Sequence, residues 1–343
     1  MELSEYRPRP RLRVPGSSVP RASVPAIDAH NHLGRWLTGD WSVPDVGGLL
    51  DVMDGCGVRT IVNLDGRWGE ELQENLDRYD RAHPGRFVTF CHADWDELNR
   101  EDGKGLAPGL RRSVEAGARG LKVWKDLGLH VRDAAGQLVL PDDPRLGDLW
   151  DTAAELGIPV AIHTADPIAF FDPIDERNER YEQLLAHPDW SFADTERFPR
   201  FDRLMDALET VVAGHPRTTF IAVHAGCQAE DLGRVWRMLA TYPNLNIDIA
   251  ARIAELGRQP RATRDLVLRF PDRVLFGTDE FPPSPGTYAT HFRFLETLDE
   301  HFPHSEDDPP LMGRWHISGL GLPRDVLARV YASNAARILG LTP

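Results

Sequence analysis

The residues of this chain best suited to chemistry are histidines and an aspartate that directly follow short apolar segments. His30 and His32 end "PAIDAHNH", His163 ends "VAIH", His224 ends "IAVH" and Asp279 ends "VLFGTD". Side chains two residues apart in a strand point to the same face, so His30 and His32 can share one ligand. Imidazole nitrogens together with a carboxylate oxygen typically bind Zn²⁺ or a related divalent ion. The pattern therefore predicts a metal site able to activate water and polarise a carbonyl.

The elements that must position these residues alternate along the chain. Eight apolar or β-branched segments are predicted strands: 25–32, 59–65, 86–94, 120–128, 159–166, 218–226, 245–252 and 273–281. Amphipathic helices are predicted between and after them, among them 45–57, 144–157, 201–216 and 323–340. Alternating strands and helices specify a parallel sheet, and eight units fit a closed (β/α)8 TIM barrel of the α/β class. A doubly wound open sheet is the alternative, but no GxGxxG motif follows the first strand.

The barrel prediction places the histidines and the aspartate at one end of the sheet. In a TIM barrel, catalytic residues lie at the carboxyl ends of the strands. A lone histidine at such a place is more often a hydrogen-bonded core residue than a ligand. Five ligand-type groups on four strand ends, all at one face, are better explained by a metal site.

Two segments exceed the usual length of a loop. Residues 165–200 follow the fifth strand and are rich in aromatic residues, and residues 302–322 interrupt the last βα region. Loops this long are uncommon unless they are functional or disordered. We interpret the first insertion as a lid or a substrate-binding segment, with a surface excursion or an oligomer contact as the alternative. Residues 1–24 are predicted to form an extended N-terminal arm, and residues 25–343 a single barrel domain.

Composition narrows the classes of partner. The net charge of −14 argues against nucleic acid, whose binding needs clustered Lys and Arg. No segment approaches the length of about 18 apolar residues that a membrane helix needs, so no membrane partner is expected. The three cysteines, Cys56, Cys91 and Cys227, are widely spaced, and the N-terminus lacks the apolar region of a secretion signal. We expect a cytoplasmic enzyme with a small-molecule substrate; its proline-rich arm could reach a second copy in a homo-oligomer.

The pattern of histidines and aspartate resembles the amidohydrolase superfamily of TIM-barrel metal-dependent hydrolases. "VAIHTADP", "NLNIDIAARIAELGR" and "DRVLFGTDEFP" are most similar to its amidohydrolase-2 branch, which also contains aminocarboxymuconate semialdehyde decarboxylase and related decarboxylases, hydratases and lactonases. The resemblance implies that a divalent ion, expected to be zinc, is bound by His30, His32, His163 and Asp279. It implies that His224 orients water or substrate, or binds a second ion.

Lys122, in "GLKVWKDLG", leaves the number of metal ions open. Binuclear members of the superfamily carry a carboxylated lysine on the fourth strand, where it bridges two ions. The mononuclear decarboxylases as a rule lack this lysine. Lys122 is therefore either carboxylated, with two ions bound, or an unmodified lysine that pairs with a protein carboxylate or with the substrate's carboxylate.

Basic and aromatic residues near the strand ends are candidate substrate contacts. Arg-Trp pairs can hold a carboxylate and stack on a ring. The candidates are Arg35, Trp36, Trp124, Lys125 and Arg252. Arg67 and Trp68 after the second strand could also line the mouth of the barrel, whereas His301 and His304 are predicted at the surface.

The expected function is a metal-dependent hydrolase that attacks an amide, lactone or ester bond of a small organic substrate. Asp279 would accept the proton of metal-activated water, His224 would support the oxyanion, and Lys122 favours this interpretation. The alternative is a non-oxidative decarboxylase or hydratase of an aromatic or unsaturated carboxylic acid, in which Asp279 or His224 protonates a carbon. A non-catalytic barrel is a third possibility, and the combination of metal ligands with a carboxylate base argues against it.

Overall fold

Eight parallel strands form the centre of the molecule in the computed structural model, which describes Tyr6 and residues 11–341. The strands β1 to β8 are Ala26–Asn31, Val58–Asn63, Phe87–Thr89, Leu121–Val123, Val160–Ile162, Phe220–Ala222, Leu245–Asp248 and Val274–Leu275. They pair in the order β1-β2-β3 and β4-β5-β6-β7-β8, and every pair is parallel. Each of the eight predicted strands is thus present, shortened at one or both ends.

Hydrogen bonds between the two sheets close the barrel. Cys91 N donates to Gly120 O at 2.9 Å and Lys122 N donates to Cys91 O at 2.7 Å, which joins the segment after β3 to β4. Ala29 N donates to Phe276 O at 2.9 Å, which joins β1 to the end of β8. Because the first and last strands are bonded to each other, the predicted TIM barrel is confirmed and the open sheet is excluded.

Helices connect successive strands and pack around the barrel. Helices α1 to α8 are Val46–Cys56, Gly69–Leu76, Leu106–Ala116, Gly147–Leu156, Phe201–Gly214, Leu232–Thr241, Pro260–Arg269 and Pro285–Glu296. A final helical segment comprises Arg324–Ala328, a π turn at Arg329–Ser333 and Asn334–Leu339, and shorter helices include Glu97–Glu101, Tyr181–Ala186 and Ile253–Leu256. Gly57 and Gly157 follow α1 and α4 with positive φ, a conformation that favours glycine at the end of a helix.

The strand register decides which residues face the interior of the barrel. Lys122 of β4 is aligned with Ala161 of β5 and Ile221 of β6. Ala161 and Ile221 belong to an apolar cluster with residues such as Ile27 and Leu275, which is contacted by the C-terminal helix. Side chains in register on adjacent strands share a face, so Lys122 points into the barrel interior.

The insertion after β5 is packed against the barrel. Phe170, Leu184, Phe192 and Phe198 form an apolar cluster that also contains Leu204 of α5. Arg180 forms an ion pair with Glu255, and both side chains are almost fully buried. The segment is therefore held by its own core and by a buried ion pair.

The second insertion folds back on itself, with hydrogen bonds in both directions between Phe302 and Ile317. His304 is buried here, with Nε2 3.0 Å from the carbonyl oxygen of Gly313, so its predicted surface position was wrong. His301 is partly buried and its ring stacks on His316. The polar sequence around these residues gave no indication of the local fold that buries the imidazole of His304.

The predicted N-terminal arm is described only in part, because residues 1–5 and 7–10 lie outside the described residues. Residues 11–24 form neither helix nor strand, and Ala22 N donates to Cys56 O at 3.0 Å. Within the described ranges, no helix combines the length and the apolar character needed to span a bilayer.

Candidate metal centre

The carboxyl ends of β1, β5, β6 and β8 bring the predicted ligand residues together. His30 and His32 lie at the end of β1, His163 directly follows β5, and His224 lies two residues beyond β6. The four histidines are buried, whereas the side chain of Asp279, four residues beyond β8, is 19% exposed. Asp279 is therefore the acidic group through which this cluster reaches the solvent side of the barrel.

Three imidazoles point Nε2 toward the carboxylate of Asp279. The distances to Asp279 are 3.6 Å from His30 and 3.2 Å from His32, both to Oδ1, and 3.9 Å from His224 to Oδ2. His30, His224 and Asp279 form the tightest group, with ligand atoms within 4.8 Å of one another. His163 lies next to His224, with their ring centroids 4.5 Å apart. Its Nε2 is 3.6 Å from Oδ1 of Asp166, and neither of its ring nitrogens has a hydrogen-bond partner in the described part of the chain.

Hydrogen bonds on the far side of three rings determine which nitrogen carries the proton. His30 Nδ1 donates to Asp248 Oδ2 at 2.7 Å, His32 Nδ1 to Asp65 Oδ1 at 3.0 Å, and His224 Nδ1 to the carbonyl oxygen of Ala250 at 2.8 Å. Since these oxygen atoms only accept, each neutral ring keeps a lone pair on Nε2. Burial lowers the pKa of His30 and of His224, which keeps both rings neutral. Burial also acts to lower the pKa of His32, but Asp65 and Asp279 outweigh it and raise that pKa above its usual value.

Sequence reasoning missed Asp65 and Asp248. Both follow apolar segments, "IVNLD" and "LNID", and so carry the same signal that identified Asp279. Carboxylates of this kind orient metal-binding histidines and increase their basicity. The pairing itself was not visible, because His30 and Asp248 are 218 residues apart.

The residues of this centre fit a divalent cation. His30 Nε2 is buried and lacks a hydrogen-bond partner among the described residues. Burial disfavours the charged form of Asp279, but His30 and His32 hold the pKa of its carboxyl below the usual value. The neutral imidazole lone pairs of His30 and His224 therefore converge on a carboxylate, and this arrangement of acceptors is stabilised by a cation between them.

Left-handed backbone conformations occur at three points of the site. His224, Ala251 and Asp279 have φ values of 59°, 51° and 60°. Such conformations in non-glycine residues cost on the order of 1–3 kcal/mol each and occur often at functional sites. Hydrogen bonds hold them: Asp279 N donates to His30 O at 2.9 Å and Ala251 N donates to Thr278 O at 3.2 Å. The turns after the strands are thus shaped to direct these side chains.

Lys122 is a further buried residue beside the candidate metal centre. Its side chain is 1% exposed, its Nζ has no hydrogen-bond partner within the described ranges, and Nζ lies 5.0 Å from the ring centroid of Trp124. Burial lowers the pKa of this amine to about 8, against the raising effect of Asp279 and Asp248. An unpaired buried amine beside the cluster is available to an anion or to carboxylation.

A cavity of about 490 Å³ opens beside the centre. The residues that line it are Trp36, Arg67, Trp68, His92, Ala93, Asp94, Trp95, Asp96, Asn99, Lys122, Trp124, Asp126, His130, Val131 and Arg132. The ring of Trp124 lies 4.7 Å from that of His32 and 4.7 Å from that of Trp36. The tryptophans therefore form a continuous aromatic wall from the histidines into the cavity.

Arg67 contributes one of the positive charges at this wall, and its Nε lies 3.8 Å from Oε2 of Glu71. Its guanidinium lies 5.1 Å from the ring centroid of Trp36 and 4.1 Å from that of Trp68. Nη1 lies 3.4 Å from Nδ1 of His92, and burial lowers the pKa of His92 to about 3, so this imidazole is neutral. Of the acids that line the cavity, Asp94 and Asp96 pair with Arg100.

The other predicted substrate contacts are placed differently. Arg35 pairs with Glu74 of α2 and lies over Trp41, so the structure does not bring it into the cavity. Lys125 pairs with Asp166 of the insertion. Arg252 is buried beside the centre and donates to the carbonyl oxygen of Ala251 at 2.8 Å. Trp36 and Trp124 do line the cavity, together with Arg67 and Trp68.

The model of the amidohydrolase family matches residues 27–341. No curated protein sequence matches the chain. The fold is similar to that of 2,6-dihydroxybenzoate decarboxylase complexed with 2,6-dihydroxybenzoate, with 16% identity, a TM-score of 0.59, and coverage of 93% of this chain and 100% of that one. At this level of identity, the likeness shows the fold alone.

Two further decarboxylase structures are similar over comparable lengths. The 5-carboxyvanillate decarboxylase of Sphingomonas paucimobilis is 15% identical with a TM-score of 0.56, covering 93% of this chain and 100% of that one. The dihydroxybenzoic acid decarboxylase of Polaromonas sp. JS666, with bound manganese and the inhibitor 2-nitroresorcinol, is 16% identical with a TM-score of 0.57, covering 92% and 97%. These likenesses extend over nearly the whole barrel.

Proposed function

This chain belongs to the amidohydrolase family, and from that premise we propose that it is a metal-dependent, non-oxidative decarboxylase of a small aromatic carboxylic acid. The observation that carries the proposal is the tryptophan-lined cavity, with Lys122 and Arg67 in its wall, that opens beside the histidines and Asp279. The similarity in fold to three aromatic-acid decarboxylases supports the same choice. The sequence alone led us to expect hydrolysis. The cavity and these relatives instead favour decarboxylation.

The metal ligands are proposed from the five side chains at the strand ends. His30, His224 and Asp279 form the tightest group, His32 adjoins Asp279, and His163 lies against His224. A divalent ion bound there would supply Lewis acidity toward the oxygen atoms of the substrate. Because one relative binds manganese, the ion is proposed as manganese or zinc rather than as zinc alone.

The cavity residues have separate roles in binding an aromatic acid. Trp36 and Trp124 offer ring faces for stacking against the substrate ring. Lys122 and Arg67 offer positive charge to its carboxylate, and Lys122 lies closer to the metal ligands. The volume of about 490 Å³ is within the range typical of small-molecule sites.

Decarboxylation requires one proton to reach the ring. The bond between the ring carbon and the carboxylate carbon breaks, its electron pair stays on the ring carbon, and CO₂ leaves. A proton taken up from solvent by Asp279 or His224 is then passed to that carbon, because neither the ionised carboxylate of Asp279 nor Nε2 of the neutral His224 carries a proton beforehand. Asp279 is the more exposed of the two side chains, which suits this exchange with solvent.

Hydrolysis is the second candidate, and Lys122 favours it. A carboxylated Lys122 would offer oxygen ligands for a second ion, as in the binuclear members of the superfamily. Asp279 would then accept a proton from water rather than donate one to carbon. The two candidates differ in metal content and in the bond that is broken.

The test combines elemental analysis with a substrate panel. The chain is purified without chelators, its metal content is measured, and dihydroxybenzoates are assayed for CO₂ release alongside lactones, esters and amides. We expect about one ion per chain and CO₂ release from a hydroxylated benzoate. Near two ions per chain, with turnover confined to lactones, esters or amides, would replace this proposal with hydrolysis.

A matched pair of variants connects activity to the cavity. Trp124→Leu removes the ring that joins the histidines to the cavity. We expect the KM for an aromatic acid to rise about 2- to 12-fold, since stacking contributes about 0.5–1.5 kcal/mol. Trp236→Leu removes a partly exposed tryptophan of α6 and should leave the KM unchanged. Equal effects of the two variants would contradict binding of the substrate against Trp124.

A further inference from the structure

We propose that Asp28 is a positioning residue that holds His30 and Asp279 in the orientation needed to bind the metal. The inference rests on the metal centre of the proposed function and adds a residue that lies behind it. Asp28 is fully buried in β1, two residues before His30, and its carboxylate does not face the cavity residues. Its contacts are instead with the backbone and side chains that carry the ligands.

The carboxylate of Asp28 accepts five hydrogen bonds. Oδ1 accepts from the backbone N–H groups of Thr278 at 3.0 Å and His30 at 3.3 Å. Oδ2 accepts from Thr278 Oγ1 at 2.6 Å, Tyr288 Oη at 3.1 Å and Asn31 Nδ2 at 3.2 Å. The donors come from β1, from the segment after β8 and from α8, so one side chain ties three elements together.

Two of these elements carry metal ligands. Thr278 directly precedes Asp279, whose φ is 60° and whose N–H donates to His30 O at 2.9 Å. The strands approach closely here: a Cβ at Gly277 would lie 2.8 Å from Cβ of His30. Asp28 holds Thr278 at both its backbone and its hydroxyl, and it therefore determines how the following residue directs its carboxylate.

An aspartate is specifically suited to this role. All five groups around Asp28 are donors toward it, and an ionised carboxylate offers only acceptors. An asparagine would direct an amide NH₂ at some of these donors and leave them unpaired in a buried place. The loss would be transmitted to Asp279 through the Thr278 backbone, while the metal ligands themselves stay intact.

The test measures metal affinity, not activity alone. Chelator-treated full-length chain is titrated with Mn²⁺ and with Zn²⁺ by calorimetry, and thermal unfolding is recorded in parallel. We expect Asp28→Asn to weaken metal binding 10–100-fold, the range seen when residues behind metal ligands are replaced. Thr278→Val removes the hydroxyl next to Asp279 at equal volume, and with it the hydrogen bond to Asp28 and the one from Asn31 Nδ2. It should weaken metal binding several-fold and serves if Asp28→Asn does not fold.

Tyr288→Phe is the matched control. It also removes one hydrogen bond to Asp28, but from α8 and away from Asp279. Metal affinity of Tyr288→Phe within twofold of wild type, with a clear loss in Thr278→Val, would support the positioning role. Equal affinities in all variants would overturn it while leaving the metal centre in place. Losses of metal affinity that parallel the losses of thermal stability in both Thr278→Val and Tyr288→Phe would overturn it as well. Absence of metal binding by the wild-type chain would overturn both this inference and the proposed function.

Discussion

At the scale of single residues, the centre is organised around the carboxylate of Asp279. Nε2 atoms of His30, His32 and His224 lie 3.2–3.9 Å from its oxygen atoms. Asp248 and Asp65 hold the Nδ1 protons of His30 and His32 on the opposite side. Asp279 can therefore be a metal ligand and the group that exchanges a proton with the substrate, since it alone of these residues is partly exposed.

Replacing this carboxylate tests its role directly. We expect Asp279→Asn to lower kcat by on the order of 10²–10⁴-fold, because the amide can neither donate a proton nor balance the charge of a cation. Steady-state kinetics on the substrate found in the panel measure the effect. The control is Asp272→Asn, at an exposed carboxylate paired with Arg329. A fully active Asp279→Asn variant would rule out Asp279 as the proton acceptor in hydrolysis and would leave His224 as the proposed proton donor in decarboxylation.

A variant of Lys122 shows whether this residue is an anion-binding amine or a carboxylated lysine that bridges two metal ions. Lys122→Met keeps the length of the side chain and removes its charge. For a decarboxylase with one ion, we expect unchanged metal content and a KM for the acid raised on the order of 10–100-fold, the value of a charged hydrogen bond. For a bridging lysine, metal content would fall. Elemental analysis and kinetics separate the two, with the exposed Lys104→Met as control.

At the scale of elements, the insertion after β5 is attached to the barrel by charge as well as by apolar contacts. Arg180 is 1% exposed and pairs with Glu255 in the short helix Ile253–Leu256, directly after Arg252. Lys125, after β4, pairs with Asp166 near the start of the insertion. The insertion is therefore anchored to the segments that follow β4 and β7, and its removal or loosening should alter the region around Arg252.

We expect Arg180→Met to lower the free energy of unfolding by about 3–5 kcal/mol, because it leaves the buried Glu255 without its partner. Denaturant unfolding measures the change. The double variant Arg180→Met/Glu255→Gln should recover part of it, since no unpaired charge remains. Arg177→Met, whose side chain is 82% exposed, is the control. A loss below about 1 kcal/mol in the single variant would contradict the buried pair.

Helix α8 contains a buried histidine that makes stability depend on pH. Burial lowers the pKa of His291 from 6.5 to about 4. The unfolded chain therefore binds this proton first as pH falls, so His291 contributes stability at pH 7 that is lost between about pH 6.5 and 4. The loss amounts to about 3 kcal/mol at most.

Unfolding experiments between pH 7 and 4 test this contribution. In His291→Gln, we expect a smaller fall in stability over that range than in wild type. His83→Gln, at a partly exposed position, controls for the removal of one imidazole. Identical pH dependence in His291→Gln and wild type would show that His291 is not the buried titrating group.

At the scale of the whole molecule, metal binding should couple to folding. The ligands come from strands at opposite ends of the sequence, and they meet only when β1 and β8 are joined. An ion that binds the folded chain alone stabilises it by about 2.7 kcal/mol at 100 times its Kd. We expect Mn²⁺ or Zn²⁺ to raise Tm, and chelation to lower Tm and remove activity. His30→Gln should abolish the shift; the same shift in that variant would place the ion elsewhere.

The sequence by itself determined the eight βα units, the histidines and Asp279 at strand ends, and the aromatic character of the loops. These features are local: alternation with period two, helical periodicity and helix stops depend on neighbours in the chain. The same local signal, a preceding apolar segment, marks Asp65 and Asp248. The sequence nevertheless did not show which histidine each of them contacts. Strand-end position alone was therefore enough to select candidates and insufficient to pair them.

Only the tertiary structure decided which candidates meet. Barrel closure brings Asp28 to Tyr288, 260 residues away, and brings His30 to Asp248. Loop conformation placed Arg67, with φ of 57°, at the cavity, while Glu74 drew Arg35 away from it. Such contacts depend on the closure of the sheet and on single backbone angles in loops, and neither leaves a periodic pattern in the sequence.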